Sequence, residues 1–248
     1  MEYAFITGMG RSGTKFLATL LNCAKNAEAA HEKIGNREYW LLSWYIGSDY
    51  SLPYLEKEKE KIEKVCNSRL FIDVNGYLHH SADVLACVFN TQAIYHLVRD
   101  PRKVVPSIVN RRCDADMQVL PKKCDDIKRW MHASKFEQVC INWRDTTEEL
   151  LSKGYELLVF EKIISSYEYV EEKLVKPLGL TLSKKDWEAI KDIKVNKTPS
   201  TMRRYIYARM KGKNFVSNPV GQYHAWPDEY RKIFLDICEP YRKKIGFL

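Results

Sequence analysis

The chain lacks the features that mark secreted, membrane-spanning and fibrous proteins. None of its 7 cysteines forms a C-x-x-C pair, and the odd number argues against a disulfide framework. It has no long apolar run, and its amino terminus enters a strand-like stretch without a basic segment before it. Glycine and proline, at 11 and 9 residues, form no low-complexity stretch. We therefore expect a cytoplasmic protein with buried free thiols, no metal site and no stable membrane insertion.

The composition is that of an ordinary folded protein, with 45% hydrophobic and 29% charged residues. Its 248 residues are enough for one sizeable core. The 40 basic residues exceed the 32 acidic ones and give a formal charge of +8, which favours anionic ligands. The densest charged run, EKEKEKIEK at 56–64, mixes both signs, so we expect no nucleic-acid partner.

Short apolar stretches alternate with stretches of helical spacing along most of the chain. This alternation predicts a single α/β domain, a three-layer sandwich with a central, mainly parallel sheet and helices on both faces. Within it we expect a helical insertion at about 36–66 and a basic, mobile loop at about 193–223. The predicted strands lie at 3–7, 69–74, 93–98 and 155–160, with a short element ending near 29–30. One predicted helix begins at Phe16, and two more lie within 36–65. Further helical stretches are predicted at 80–89, 101–112, 124–152, 166–176, 183–191 and 227–244.

Residues 8–15, GMGRSGTK, follow the first predicted strand and precede the first predicted helix. The spacing of Gly8 and Gly13 matches the phosphate loop G-x-x-x-x-G-K-[ST], but Thr14 and Lys15 stand in reversed order. A glycine-rich turn at a helix start directs several backbone N–H groups towards an anion. Arg11 lies inside the turn and can neutralise phosphate charge without a metal. The sequence therefore predicts a P-loop-like phosphate site.

The segment after the strand at 93–98 indicates a second anion site. Arg99 directly follows the strand, at the edge where open α/β sheets bind ligands. Ser107 comes eight residues later, two turns into the next predicted helix, and can face the same way. Together these two residues suit a second phosphate, distinct from the one at the loop.

Both segments resemble those of the sulfotransferases that use 3′-phosphoadenosine 5′-phosphosulfate (PAPS). ITGMGRSGTKFLATLL at 6–21 is similar to their 5′-phosphosulfate loop, and YHLVRDPRKVVPSIV at 95–109 is similar to their 3′-phosphate segment. YELLVFEKI, VKPLGL and VGQYHAW through IGF are weaker similarities, so the resemblance runs over most of the chain. The motif spacing looks most like that of the tyrosylprotein and carbohydrate sulfotransferases. The resemblance implies a P-loop-like fold, PAPS as the donor, adenosine 3′,5′-bisphosphate (PAP) as the product, and no metal.

The resemblance also implies roles for individual residues. The 5′-phosphosulfate would be cradled by Arg11, Ser12, Gly13, Thr14 and Lys15. Phe16 stands where many members have a tryptophan against the adenine, and Arg99 and Ser107 would hold the 3′-phosphate. The reaction would be an in-line displacement, in which Arg11 stabilises the charge that develops on the leaving oxygen.

The acceptor must lose a proton, and two neighbouring residues are candidates for the base. The resemblance implies Glu32, 21 residues after Arg11, because the tyrosylprotein branch has its base at the matching position. His31 titrates near neutrality and is the alternative. Because neighbours on an extended segment face opposite ways, we expect only one of them to reach the acceptor.

The chain departs from the family pattern after the strand that ends in LFIDV. Many members carry a lysine or histidine there, whereas this chain reads DVNG at 73–76. Either Arg11 and Lys15 supply the positive charge alone, or Asn75 orients the acceptor. The acceptor itself is left open between a small molecule, a glycan and a peptide. The aromatic stretch REYWLLSWYIG at 37–47 suits an acceptor pocket or core packing.

Two other functions compete with sulfuryl transfer. In a P-loop kinase or NTPase, LFID at 70–73 would end at a magnesium ligand and ATP would be the substrate. In a non-catalytic binding module, the basic surface would hold an anionic glycan or nucleic acid. The sequence leaves the oligomeric state open.

Overall fold

The computed structural model describes residues 1–110, 120–121, 124–193, 206, 209–210 and 220–247. The chain forms two compact units. The first unit contains Met1–Arg99 and Glu149–Val195, and the second contains Asp100–Glu148 and Asn196–Leu248. The predicted basic loop at about 193–223 lies almost entirely outside the described residues, so its mobility stays a prediction, as does the single-domain organisation.

A five-stranded parallel sheet forms the centre of the first unit, as the fold prediction required. The strand order across the sheet is β2-β3-β1-β4-β5. The predicted strands are confirmed, although the last one ends at Val159 because Phe160 opens a helix. The strand bounds are β1 Glu2–Gly8, β2 Ala27–His31, β3 Leu70–Asn75, β4 Ile94–Val98 and β5 Glu156–Val159.

Helices cover most of the remaining described chain. In chain order they are α1 (Thr14–Leu21), α2 (Arg37–Ile46), α3 (Ser48–Val65), α4 (Ala82–Phe89), α5 (Pro101–Val109), α6 (Cys124–His132), α7 (Lys135–Ser152), α8 (Phe160–Ser165), α9 (Tyr167–Val170), α10 (Lys184–Lys191), α11 (Asp228–Ile237) and α12 (Glu239–Ile245). Short 3₁₀ turns lie at His79–Ser81 and Tyr223–Ala225, and a π-helical turn lies at Glu171–Val175.

The inner strands β1, β3 and β4 are buried on both faces of the sheet, which explains why they read as nearly continuous apolar runs. Alternate residues of β1 face opposite sides. Ala4 and Ile6 belong to a core cluster with α1 and with the segment from Leu158 to Trp187. Tyr3 and Phe5 belong to a second cluster with α2, α3 and α4. The first unit is therefore a three-layer sandwich, as predicted.

The two helices predicted within 36–65 are present as α2 and α3. Asn36 caps α2, because its Oδ1 accepts a hydrogen bond from the Tyr39 N–H at 2.9 Å. Gly47, with a φ of 77°, separates the two helices. This stretch is thus a helical region, while its status as an insertion stays a prediction.

Two long predicted helices are each divided in the structure. The stretch 124–152 contains α6 and α7, because the Ser134 hydroxyl accepts from the Glu137 N–H at 3.3 Å and so starts a new helix. The stretch 227–244 contains α11 and α12, and Pro240 lies in the first turn of α12, where proline is tolerated. Helix periodicity alone did not reveal either interruption.

The described part of the second unit is helical. Phe136 of α7 stacks on Tyr230 of α11 with 4.2 Å between ring centroids, and it contacts Trp226 edge to face at 5.1 Å. Asn110 follows α5 and exchanges two hydrogen bonds with the backbone of Val220, at 2.8 and 2.7 Å. These contacts give the second unit its own aromatic core.

The cysteines follow the sequence prediction in part. Cys66, Cys140 and Cys238 are buried free thiols, whereas Cys23 is half-buried and Cys87 is exposed. Cys87 departs from the prediction because it lies on the outward face of α4. Over the described ranges, no helix combines the length and the apolar character that crossing a membrane requires.

Candidate functional site

The strand order changes direction between β1 and β4. From β1 the chain continues to β2 at one edge of the sheet, and from β4 it continues to β5 at the other edge. Gly8 of β1 pairs with Leu97 of β4, so the carboxyl ends of the two strands lie side by side. In open α/β sheets, ligands bind in the crevice at such a switch point. The phosphate loop follows β1 and Arg99 follows β4, so both predicted anion-binding segments start at this crevice.

The glycines of the loop have distinct tasks. Gly13 caps α1 with a φ of 101°, a conformation that favours glycine. A Cβ on Gly8 would lie 2.4 Å from the Leu97 carbonyl oxygen, so a side chain there would force β1 and β4 apart. A Cβ on Gly10 would meet no atom within 4 Å, so the loop faces open space at that residue. The loop therefore combines a tightly packed base with an accessible tip, the arrangement that an anion cradle requires.

Arg11 and Arg99 meet at this loop. Nη1 of Arg99 donates a hydrogen bond to the carbonyl oxygen of Arg11, with a distance of 3.2 Å. Arg11 has a φ of 77°, which is unfavourable for a residue with a Cβ. Ser12 is buried, and its N–H donates to the Met9 carbonyl at 3.2 Å, which closes the turn. The arginine from the end of β4 thus directly contacts the backbone of the loop arginine.

Two residues that the sequence analysis did not single out also contact this site. The guanidinium of Arg99 lies over the Phe160 ring, 4.7 Å from its centroid, and its Nε lies 3.9 Å from Oε1 of Glu161. Phe160 also packs edge to face on Phe16, with 5.6 Å between centroids. Both residues begin α8 directly after β5, the neighbour of β4 in the sheet. Their position at a strand end, in YELLVFEKI, was the feature that could have identified them.

The two candidate bases lie close together instead of facing opposite ways. Nδ1 of His31 is 3.8 Å from Oε2 of Glu32, and Nε2 of His31 is 3.1 Å from the Thr14 hydroxyl oxygen, within hydrogen-bond distance. The expectation of opposite directions is wrong because it assumed an extended backbone. Glu32 has a φ of 53°, so the chain leaves the extended conformation directly after β2.

Both candidate bases lie near the phosphate loop. A Cβ on Gly76 would lie 3.5 Å from Oε1 of Glu32 and 3.6 Å from the backbone nitrogen of Gly10, so the Glu32 carboxylate is close to the loop. Burial lowers the pKa of His31, and the positive charge of Lys15 lowers it further. Both effects favour the neutral form of the His31 ring.

Asp73 and Asn75, in the segment where the sequence resemblance leads one to expect a basic residue, hold the backbone after Glu32. Asp73 is fully buried, and its two oxygens accept from the N–H groups of Lys33, at 3.1 Å, and Ile34, at 3.0 Å. Nδ2 of Asn75 donates to the Ile34 carbonyl at 2.6 Å and to Oδ2 of Asp73 at 2.8 Å. Burial raises the pKa of Asp73 to about 6, although these hydrogen bonds oppose the rise. Asn75 is thus engaged in the same turn, and an acceptor-orienting role for it stays a prediction.

A histidine pair lies next to the turn after β3. Nδ1 of His79 is 3.0 Å from the Gly76 carbonyl oxygen, and Nε1 of Trp40 donates to Nε2 of His79 at 3.4 Å. Burial lowers the pKa of His79 well below its ordinary value, so the ring is neutral. Nδ1 of His80 is 2.6 Å from Oε2 of Glu149. These contacts hold His79 against Trp40 of α2 and His80 against Glu149 of α7.

The aromatic stretch on α2 contributes mainly to packing. Tyr39 is fully buried and its hydroxyl donates to Oγ of Ser81 at 2.7 Å. Trp44 contacts the His80 ring, with 4.3 Å between centroids, whereas Tyr45 is exposed. An acceptor pocket along α2 stays a prediction.

The remaining predicted ligands lie on helices. Thr14 is buried and Lys15 is exposed in the first turn of α1. Phe16 is buried in the core with only 7% of its surface exposed, so little of it is accessible to an adenine. Ser107 is half-buried on α5, in the second unit. The adenine role of Phe16 and the phosphate role of Ser107 stay predictions.

No family model and no curated protein matches the chain. Several solved sulfotransferases are similar in structure. The sulfotransferase domain of the Synechococcus PCC 7002 olefin synthase has a TM-score of 0.54 at 13% identity, with 100% of this chain and 96% of that domain covered. The sulfotransferase domain from the curacin biosynthetic pathway has a TM-score of 0.49 at 10% identity, with 95% and 96% covered. Mouse sulfotransferase SULT7A1, complexed with PAP, has a TM-score of 0.48 at 12% identity, with 98% and 84% covered. The similarity to the olefin synthase domain shows that the chain has the fold of a sulfotransferase domain, as the sequence resemblance implied.

Proposed function

We propose that the protein is a sulfotransferase that transfers a sulfuryl group from PAPS to a hydroxyl or amine acceptor by in-line displacement, without a metal. The observation that carries the proposal is the hydrogen bond from Arg99 to the Arg11 carbonyl, at the switch point of a sulfotransferase fold. This bond joins the two segments that the sequence resemblance assigns to the two anionic ends of one donor.

The residues at the crevice fit a donor of this kind. The open space at Gly10 and the start of α1 suit one anionic group, because the backbone N–H groups of a helix start and the helix field both favour negative charge. Arg99, held over the Phe160 ring, offers a planar guanidinium that matches phosphate oxygens. Bound at this crevice, PAPS would supply the sulfuryl group, and Arg11 would offset the charge on the bridging oxygen as it leaves.

Glu32 is the proposed base. Its Oε1 lies beside Gly76 and close to the phosphate loop, where an acceptor hydroxyl has to approach. His31 Nε2 already shares a hydrogen bond with the Thr14 hydroxyl, so its ring is held against the loop. His31 lies between Thr14 and Glu32, with Nδ1 3.8 Å from Oε2 of Glu32, and in this proposal the carboxylate takes the acceptor proton.

The kinase alternative is disfavoured by the position of Asp73. A magnesium site at the end of LFID would need this carboxylate at the crevice. Asp73 is fully buried and its oxygens accept hydrogen bonds from the Lys33 and Ile34 N–H groups instead. Among the residues that the structure describes, no contact specifically favours a non-catalytic anion binder.

Calorimetric titration with PAP in EDTA tests the donor site. We expect micromolar binding by the wild-type protein and a loss of about 10- to 100-fold in Arg99→Ala, because a charge-assisted hydrogen bond donor is removed. Arg69→Ala is the matched control, because it removes the same charge at the amino-terminal ends of β1 and β3, where Arg69 pairs with Glu2, away from the carboxyl ends that border the crevice. Binding of ATP with magnesium, and not of PAP, would support the kinase instead.

Transfer is tested with radiolabelled PAPS and a panel of small-molecule, glycan and peptide acceptors. We expect Glu32→Gln to lower kcat by about 100-fold or more while the Kd for PAP stays unchanged. Anion binding that is strongly weakened by salt and accompanied by no transfer to any acceptor would support the non-catalytic binder.

A further inference from the structure

The backbone of Glu32 is held in a conformation that glutamate disfavours. Its φ of 53° lies in the left-handed region, which glycine and asparagine adopt far more readily. Such residues persist only where the surrounding structure imposes the conformation, and they concentrate at functional sites. The structure must therefore contain groups that hold the chain in this turn.

The Asp73 carboxylate is that group. The Glu32 N–H donates to the Val74 carbonyl at 3.3 Å, which continues the pairing of β2 with β3 for one more residue. The next two N–H groups, of Lys33 and Ile34, then turn inward and both donate to Asp73. Successive N–H groups that converge in this way form a concavity for an anion, and here an internal carboxylate fills it.

Asn75 closes the turn from its other side. Its Nδ2 donates to the Ile34 carbonyl and to Oδ2 of Asp73. The Ile34 carbonyl and the N–H groups of Lys33 and Ile34 are thus all hydrogen-bonded to side chains of β3. Asp73 and Asn75 are both fully buried, which makes this arrangement rigid. The outcome is a Glu32 side chain that leaves the backbone towards Gly76 and the phosphate loop.

We infer that Asp73 is a positioning residue for the base: it fixes the left-handed backbone of Glu32 and thereby aims the Glu32 carboxylate at the acceptor. This inference rests on the proposed function, in which Glu32 removes the acceptor proton. Asp73 itself does not contact the reacting atoms.

A double-mutant cycle tests the inference through steady-state kinetics and PAP titration. Asp73→Asn keeps the side-chain volume and one acceptor oxygen, whereas Asp73→Ala keeps neither. We expect Asp73→Asn to lower kcat by about 10- to 100-fold and Asp73→Ala to lower it further, because misplacing a catalytic group by about 1 Å has effects of this size. The Kd for PAP should stay within about two-fold of wild type, since the hydrogen bonds of Asp73 go to Lys33, Ile34 and Asn75 and not to the phosphate loop.

The effect must disappear when the base is absent. In a Glu32→Gln background, adding Asp73→Asn should change kcat by less than about two-fold, because there is no carboxylate left to position. An equal loss in both backgrounds, or a loss of PAP affinity that matches the loss in kcat, would overturn the inference. His96→Gln, a buried change on β4, which β1 separates from β3, is the control for general destabilisation and should leave kcat unchanged.

A crystal structure of Asp73→Asn separates this inference from the proposed function. If the wild-type protein neither binds PAP nor transfers a sulfuryl group, the proposed function fails. The crystal structure still tests whether Asp73 fixes the backbone of Glu32. We expect Glu32 to leave the left-handed region and its carboxylate to move away from Gly76. An unchanged Glu32 would contradict the inference. If Asp73→Asn does not fold, Asn75→Ala loosens the same turn and replaces it in both the double-mutant cycle and the crystal structure.

Discussion

The ring of Phe160 lies directly against Gly13: a Cβ on Gly13 would be 2.2 Å from the Cε2 atom of Phe160. Gly13 is the last residue before α1 and carries a φ of 101°, while Phe160 opens α8 after β5. Helix α1, which starts the proposed phosphate site, therefore needs glycine at this position. Only glycine adopts this φ readily and leaves room for the Phe160 ring.

Replacing Gly13 should consequently be far more damaging than replacing another glycine with positive φ. We expect Gly13→Ala to lower the free energy of unfolding by about 2–5 kcal/mol, because left-handed strain and overpacking add. Gly154→Ala is the control, since Gly154 has a φ of 70° but a Cβ there would meet no atom within 4 Å, and it should cost only about 1–2 kcal/mol. Urea unfolding measures the loss of unfolding free energy in both variants. Equal losses would show that the Phe160 ring moves aside and makes room for the new methyl group.

Glu161 places a negative charge beside the proposed phosphate ligand. Its Oε1 lies 3.9 Å from Nε of Arg99, and both side chains are partly exposed, so the pair is screened by solvent. We expect Glu161→Gln to tighten PAP binding by about two- to five-fold, because a charge that repels the phosphate is removed. Glu172→Gln, an exposed change on the π-helical turn, is the control and should have no effect. Weaker PAP binding in Glu161→Gln would mean instead that Glu161 holds Arg99 in place.

Much of the first unit could be predicted from the sequence because its signals are local. LFIDVN reads as a buried strand since both faces of the sheet are covered. The glycine spacing of residues 8–13 predicts a phosphate loop because Gly8 has to fit against the Leu97 carbonyl and Gly13 has to adopt a positive φ. Strand order could not be read from these segments, yet it decides that Arg99 emerges beside Arg11.

The parts that sequence reasoning missed depend on residues far apart in the chain. The left-handed φ of Glu32 is imposed by hydrogen bonds to Asp73, 40 residues away in the case of Lys33. Nothing in LFIDVN distinguishes a carboxylate that accepts backbone N–H groups from one that binds a metal. The role of Phe160 could not be predicted for the same reason. Its contact with Gly13 depends on β5 lying beside β4 in the sheet.

The pKa of His31 should respond to Lys15. Burial is the main cause of its lowered pKa, and the charge of Lys15 is the second. We expect Lys15→Met to raise the pKa of His31 while leaving it below the ordinary value, since burial persists. Proton NMR of the imidazole resonances across pH 4–8 measures the change. Lys25→Met, an exposed position beyond the opposite end of α1, is the control, and an unchanged His31 in Lys15→Met would contradict the prediction.

Two buried groups of the sheet should oppose each other in the pH dependence of stability. His96 is fully buried, and burial together with Lys153 lowers its pKa from 6.5 to about 4. Between these values the unfolded chain binds a proton that the folded protein does not, so His96 destabilises the fold as the pH falls. Asp73 has its pKa raised from 3.8 to about 6, so the folded protein binds the extra proton and acidification stabilises the fold. Each pKa unit corresponds to about 1.4 kcal/mol, so each effect amounts to about 3 kcal/mol and the two largely cancel between about pH 4 and 6.

Removing one group at a time should therefore reveal slopes of opposite sign. The His96→Gln variant retains only the stabilising effect of Asp73 on acidification. The free energy of unfolding of this variant should therefore rise, relative to wild type, as the pH falls from 6 towards 4. Asp73→Asn leaves the contribution of His96, so its free energy of unfolding should fall over the same interval. All other titrating groups are common to both variants, so the difference between their curves isolates these two. Urea unfolding at half-unit steps of pH provides the curves, and parallel curves would show that neither pKa is displaced in the folded protein.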